Sequence, residues 1–195
     1  MKHAALDDRA APRDGGLALR ARWLLRREKA LKGGSLALLD YGCGTGDLAR
    51  VLAGLGGHAV FAGCDVSTRT NFADGQFDIV VASAALHHVS PAERKAVYAE
   101  LGRVLKPGGR LYVFEHNPRN PLVRHVVART PIDKNAILLD ANEVQHGLLD
   151  TARYEVETDY LMFMPPAITF LRPVDRALAW LPLGAQYAVT ARKPA

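Results

Sequence analysis

The sequence predicts an α/β protein with a mostly parallel sheet covered by helices. Apolar runs of strand length alternate with stretches of helical periodicity, the arrangement that gives parallel sheets with helical crossovers. The run at 36–39 (Leu-Ala-Leu-Leu) is apolar without alternation, as in a strand buried on both faces. It stops at an acid and a glycine-alternating turn, the place where open α/β sheets receive ligands.

Residues 1–15 mix Ala, Asp, Arg, Pro and Gly without period and read as a loose end. Over 16–32, Leu17, Ala21, Leu24, Leu25 and Leu31 recur at helical spacing, arginines fill the other face, and Gly33-Gly34 stop the helix. After the strand at 36–39 come a short helix over 47–55, a second buried strand over 59–64 and a third over 77–82. A helix is expected over 90–105. Ser90 caps it, Pro91 suits its first turn, and Glu93 completes a Ser-x-x-Glu capping box. Lys106-Pro107-Gly108-Gly109 ends it, and a fourth strand covers 110–115. Helices follow around 122–129 and over 140–151, the latter opened by Asp140 with Glu143. Residues 154–163 and 186–192 alternate as strands, joined by a Pro-, Leu- and aromatic-rich connection over 165–184.

Composition narrows the classes. The 195 residues are 49% hydrophobic and 23% charged, and no apolar run approaches membrane-spanning length. That excludes a disordered chain and a membrane-spanning protein, and two cysteines exclude a disulfide scaffold. With no signal peptide, a reducing cytoplasm is the expected location. The net charge of +5 is local. Residues 1–34 carry nine Lys/Arg and four acids, whereas residues 35–195 balance at 16 against 16. A basic extension at 1–34 thus precedes a neutral domain at 35–195, which argues against a nucleic-acid binder.

The chemistry is concentrated in residues 38–48, Leu-Leu-Asp-Tyr-Gly-Cys-Gly-Thr-Gly-Asp-Leu. A nicotinamide-binding turn wants Gly-x-Gly-x-x-Gly with pyrophosphate on the helix N-terminus. Here the spacing is Gly42-x-Gly44-x-Gly46, with Asp40 before it and Asp47 opening the helix. Two carboxylates would repel a pyrophosphate and suit a ligand carrying an ammonium and a sulfonium. A nicotinamide-dependent oxidoreductase is therefore the weaker rival.

These residues resemble the first motif of the class I S-adenosylmethionine-dependent methyltransferases, of a small bacterial type. Other pieces follow in the family's order. Residues 61–67 resemble its second strand, 74–80 the entry to its fourth, 86–89 (Leu-His-His-Val) the loop after that, and 103–111 the turn into its fifth. The resemblance implies a Rossmann-like three-layer sandwich and S-adenosylmethionine as cofactor. It also implies a cofactor site of Asp40, Gly42, Cys43, Gly44, Thr45, Gly46, Asp65, Val66 and Leu86. The glycines would let the methionine part lie on the backbone, Asp40 would sit near its amino group, and Asp65 would accept from the ribose hydroxyls.

One piece of the family pattern is missing. Only 11 residues, 66–76, separate Asp65 from Phe77. Fully extended they reach roughly 36 Å, enough to return along a strand but not to include a helix. The family's third strand, an edge strand, and its flanking helices are therefore expected to be absent. An acid that meets the adenine goes with them. Weak cofactor affinity and an uncovered apolar patch near Leu36 and Ile79, favouring a homo-oligomer, are expected to follow.

Methyl transfer to oxygen or carbon needs alignment and a base. The candidates stand at the carboxyl ends of strands: His116 and His88 as catalytic residues, His87, Glu115 and Asn117 as substrate residues. No helical His-x-x-x-His or cysteine pair supports a metal, so none is expected. The expected substrate is a small molecule or a lipid- or saccharide-linked one. Segments 16–32 and 162–183, the latter with Phe163, Phe170 and Trp180, read first as a core-packing helix and a strand connection; the alternative is a lid with a basic, apolar face for an anionic or lipid-linked substrate, which would bring peripheral contact with the inner membrane. The rival from another class is a methyltransferase fold kept as a binding module with impaired catalysis.

Overall fold

The strands assemble around β1 (Ala37–Tyr41), whose side chains from Leu38 onward are buried. A computed structural model of the chain describes residues 15–33, 36–133, 135–163 and 177–195. β2 (Val60–Cys64) and β3 (Phe77–Ser83) flank β1 in parallel, and β4 (Leu105–His116) lies parallel to β3. β5 (Glu155–Leu161) and β6 (Gln186–Arg192) complete the sheet, and β6 runs antiparallel to both β4 and β5. Among the described residues the order is β2-β1-β3-β4-β6-β5.

Two helical layers cover the sheet. On one face, α3 (Pro91–Val104) and α5 (Ala141–Leu149) bury Val97, Tyr98, Leu101, Val144 and Leu148 against Leu39, Val80 and Val113. On the other, α1 (Gly15–Arg27) and α2 (Asp47–Gly54) pack Ala21, Leu24, Leu48 and Leu52 against Leu38, Ile79 and Phe114. A short helix α4 (Pro121–Val127) opens with Asn120 accepting from the Leu122 and Val123 amides.

The expected apolar patch is absent at Ile79, which is buried beneath that second layer, and Leu36 is partly buried against the same cluster. The basic helix α1 supplies the cover. Its apolar face fills the gap, and Trp23 sets its edge on Tyr112 and Phe114 at centroid distances of 5.8 and 5.4 Å. Two of its arginines tie it to the sheet, Arg20 from a buried position and Arg27 at the surface. Arg20 donates to Gln186 and Ser83, and Arg27 pairs with Glu157 and Asp159. Uncovered apolar surface remains at the edge strand β2, where Val60 is exposed.

Three local expectations are modified. Ser90 is the α3 N-cap, but its hydroxyl donates to the Glu93 carboxylate at 2.6 Å, so no side chain caps the backbone. The Lys-Pro-Gly-Gly turn belongs to β4 as an irregularity, since pairing with β3 jumps from Phe77↔Leu105 to Ile79↔Arg110. The helix expected over 16–32 ends at Arg27 and is followed by a 3-10 turn, Lys29–Lys32.

The short crossover over 66–76 contains no strand and no helix. It is held from two sides. The Tyr41 hydroxyl donates to the Ser67 carbonyl at 2.6 Å and accepts from the Ser67 amide at 2.8 Å. Glu100, on α3, accepts from the Thr70 amide and hydroxyl at 2.7 and 2.6 Å. No described helix is long and apolar enough to cross a membrane.

Candidate functional site

The end of β1 opens into a cavity of about 310 Å³ lined by Asp40, Cys43, Gly44, Thr45, Gly46, Ala49, Phe61, Ala62 and Gly63. That is the lower end of the range for small-molecule sites. The chain turns from β1 into α2 with Gly42, Gly44 and Gly46 at φ of +76°, +50° and +78°. A β-carbon there would be strained in every case, and at Gly44 and Gly46 the space beside the backbone is open. Gly63 closes the opposite side, where a β-carbon would lie 2.7 Å from the Cys43 sulfur.

Asp40 is the charged group at this cavity that lacks a partner. It is 4% exposed, and no described group donates a hydrogen bond to its carboxylate. Burial, reinforced by Asp47, pushes its pKa up to about 6. A cation at the cavity would relieve that cost, so the site fits a ligand bearing an ammonium or sulfonium. Asp65 follows the end of β2 and is exposed, within the chain that leads into the short crossover.

Of the expected cofactor residues, Asp40, Cys43, Gly44, Thr45 and Gly46 share this cavity. Gly42, Asp65, Val66 and Leu86 do not line it. Gly42 is a packing glycine, since a β-carbon there would meet Ala85 Cβ at 2.6 Å and Val66 Cγ2 at 3.2 Å. Leu86 is wholly buried among Tyr41, Ala85 and Val89 in the core. Ala49, Phe61, Ala62 and Gly63 were not singled out by sequence. Their proximity comes from the parallel pairing Asp40↔Gly63, which only the sheet register sets.

A second cluster forms at the ends of β3 and β4. Glu115 is 0% exposed and accepts from the Ala85 and Leu86 amides at 3.0 and 2.7 Å, while its other oxygen lies 2.6 Å from His87 Nδ1. It therefore braces the loop after β3 and is not placed to touch a substrate. Although burial opposes it, His87 and the amide bonds hold the Glu115 carboxyl below its ordinary range. Asn117 is likewise structural, donating to the Pro182 and Gly184 carbonyls at 3.1 and 2.8 Å.

His87 is 1% exposed and lies under His88, with ring centroids 4.2 Å apart. The His88 side chain is 40% exposed, and the His116 ring lies 5.6 Å from that of His87. Burial lowers the pKa of His88, helped by His87, and that of His116, helped by Arg20. Asp133, missed by the sequence reading, sits 3.4 Å from His87 Nε2 and 3.8 Å from His88 Nε2. Of the segment at 162–183, residues 164–176, with Phe170, lie outside the described residues, and Trp180 is exposed.

Comparison with known proteins finds partial sequence matches and a shared fold. The family model described as a methyltransferase domain matches residues 61–113. An uncharacterized methyltransferase of Synechocystis sp. is 42% identical over 50 residues, covering 25% of this chain and 24% of that protein. A demethylmenaquinone methyltransferase of Beutenbergia cavernae is 53% identical over 49 residues, 25% of this chain and 20% of that one. The chain thus matches about a quarter or less of the length of these relatives. A SAM-dependent methyltransferase from Archaeoglobus fulgidus superposes with a TM-score of 0.66 at 14% identity, over 91% of this chain and 95% of that one. Residues 61–113 thus match a methyltransferase-domain family, and the chain as a whole has the fold of the S-adenosylmethionine-dependent methyltransferases.

Proposed function

We propose that this chain transfers a methyl group from S-adenosylmethionine to a small or carrier-linked acceptor. The observation that carries this reading is the unpartnered Asp40 carboxylate at the mouth of a glycine-walled cavity. Bound there, the cofactor would supply an activated methyl group for in-line displacement. Gly44 and Gly46 would admit its backbone-hugging portion, and Asp40 would face its ammonium. Asp65, beyond the end of β2, would accept from the ribose. The acceptor would approach the ends of β3 and β4, where His116 and His88 are the candidates to take a proton. The relative named for demethylmenaquinone falls within the class of lipid-linked acceptors.

Because 66–76 brings no helix or strand to the adenine side, affinity is expected to be weak. Calorimetric titration with S-adenosylmethionine should give such binding, and Asp65→Ala should remove it without changing the melting temperature. Labelled-methyl transfer into a cell extract should then depend on Asp65. A second reading, a scaffold retained for binding alone, is favoured by the same bare crossover. Absence of both binding and transfer would replace the first reading with the second.

A further inference from the structure

His87, His88 and Asp133 converge without a role in the cofactor site. The Glu115 carboxylate accepts two backbone amides and lies 2.6 Å from His87 Nδ1, so Nδ1 is the donor of that contact. In the neutral ring this leaves the lone pair on Nε2. That atom is buried and makes no hydrogen bond among the described residues. Asp133 Oδ1 lies 3.4 Å from it and 3.8 Å from His88 Nε2, and one ligand atom from each of the three residues lies within 4.8 Å of the others.

These are the features of a small metal centre. Two imidazoles and one carboxylate suit first-row transition ions over Mg²⁺ or Ca²⁺. Tetrahedral ligands at about 2.1 Å from an ion lie about 3.4 Å from each other, close to the His87–Asp133 and His88–Asp133 separations of 3.4 and 3.8 Å. The Glu115–His87 contact is the outer-shell carboxylate that orients a ligating histidine. The loop carrying Asp133 is tied down by the Ile137 amide donating to the His87 carbonyl at 2.8 Å and by Arg94 donating to the Ile137 carbonyl at 2.5 Å. His88, 40% exposed, leaves a path for entry and an open position for water or an acceptor oxygen.

We propose that His87, His88 and Asp133 bind one divalent first-row transition ion of the Zn²⁺ class. With the ion bound, His88 is a ligand and His116 is the proton acceptor left at the strand ends. The rival is an imidazolium of His87 bridging Glu115 and Asp133, which makes no use of His88.

The test uses the tag-free full chain, dialysed against Zn²⁺ and assayed for metal content, with Co²⁺ absorption reporting coordination geometry. Expected are one ion per chain at micromolar free Zn²⁺, a tetrahedral Co²⁺ spectrum, and no displacement by excess Mg²⁺. His88→Ala and Asp133→Asn should each weaken Zn²⁺ binding at least tenfold while keeping the wild-type circular dichroism. No stoichiometric Zn²⁺ at micromolar concentration, or wild-type affinity in either variant, overturns the proposal. Because Zn²⁺ content is read directly, this outcome is independent of whether methyl transfer is observed.

Discussion

Glu100→Gln isolates the group that anchors the shortened crossover. One Glu100 oxygen accepts from the Thr70 amide at 2.7 Å, the Thr70 hydroxyl at 2.6 Å and Arg103 Nη2 at 2.6 Å. The other accepts from Arg103 Nε at 2.8 Å. Arg103 chiefly, with the Thr70 bonds, holds the carboxyl down at about 2. A carboxylate whose pKa falls on folding stabilises the protein above its unfolded value and stops doing so as pH drops toward the folded one. From an ordinary value of 4.5 to about 2, the contribution at neutral pH is up to about 3 kcal/mol. Glutamine keeps the shape and one acceptor but turns an amide N–H₂ toward Arg103. Urea unfolding at pH 7 should show that loss, and the melting temperature should fall by up to about 12 °C for a chain of this size. The gap between variant and wild type should shrink to about half near pH 3, as protonation removes the same contribution from the wild type. An equal urea midpoint at pH 7, or a gap constant from pH 6 to pH 3, would refute the anchoring role.

Asp40→Asn should act in opposite directions on stability and binding. A raised carboxyl pKa means stability falls as pH rises from 3.8 to about 6, so the variant should be more stable at pH 7, by up to about 3 kcal/mol. Calorimetry should show it losing at least tenfold in S-adenosylmethionine affinity; a destabilised variant with intact binding would contradict the assignment. Gly42→Ala and Gly44→Ala should separate packing from access. The first adds a β-carbon at +76° against Ala85 and should cost about 2–4 kcal/mol in urea unfolding. The second meets open space and should cost about 1 kcal/mol while weakening cofactor binding; equal costs would undo the distinction.

Much of this protein was legible along the chain because its signals are local. The apolar runs that became β1 and β3, the Asp140 cap accepting from the Glu143 amide at 3.0 Å, and the glycine turn each depend on near neighbours. The missing third strand was legible too, since 11 residues cannot contain a helix and a strand whatever they pack against. Side-chain direction at strand ends was not legible. Glu115 and Asn117 read as substrate contacts by position, yet each faces inward to satisfy backbone groups of a loop distant in sequence.

Sequence alone thus determined the order of strands and helices, the glycine-and-acid turn and the shortened crossover, all set by spacing and chain length. Tertiary structure alone decided that α1 is the cover for Ile79 and the far side of β1, because an amphipathic helix buries its face only where a complementary surface waits. It also decided that Phe61 and Gly63 wall the cavity and that Asp133 meets His87 and His88. Those meetings follow from sheet register and loop path, which bring together residues that carry no mark of one another in the chain.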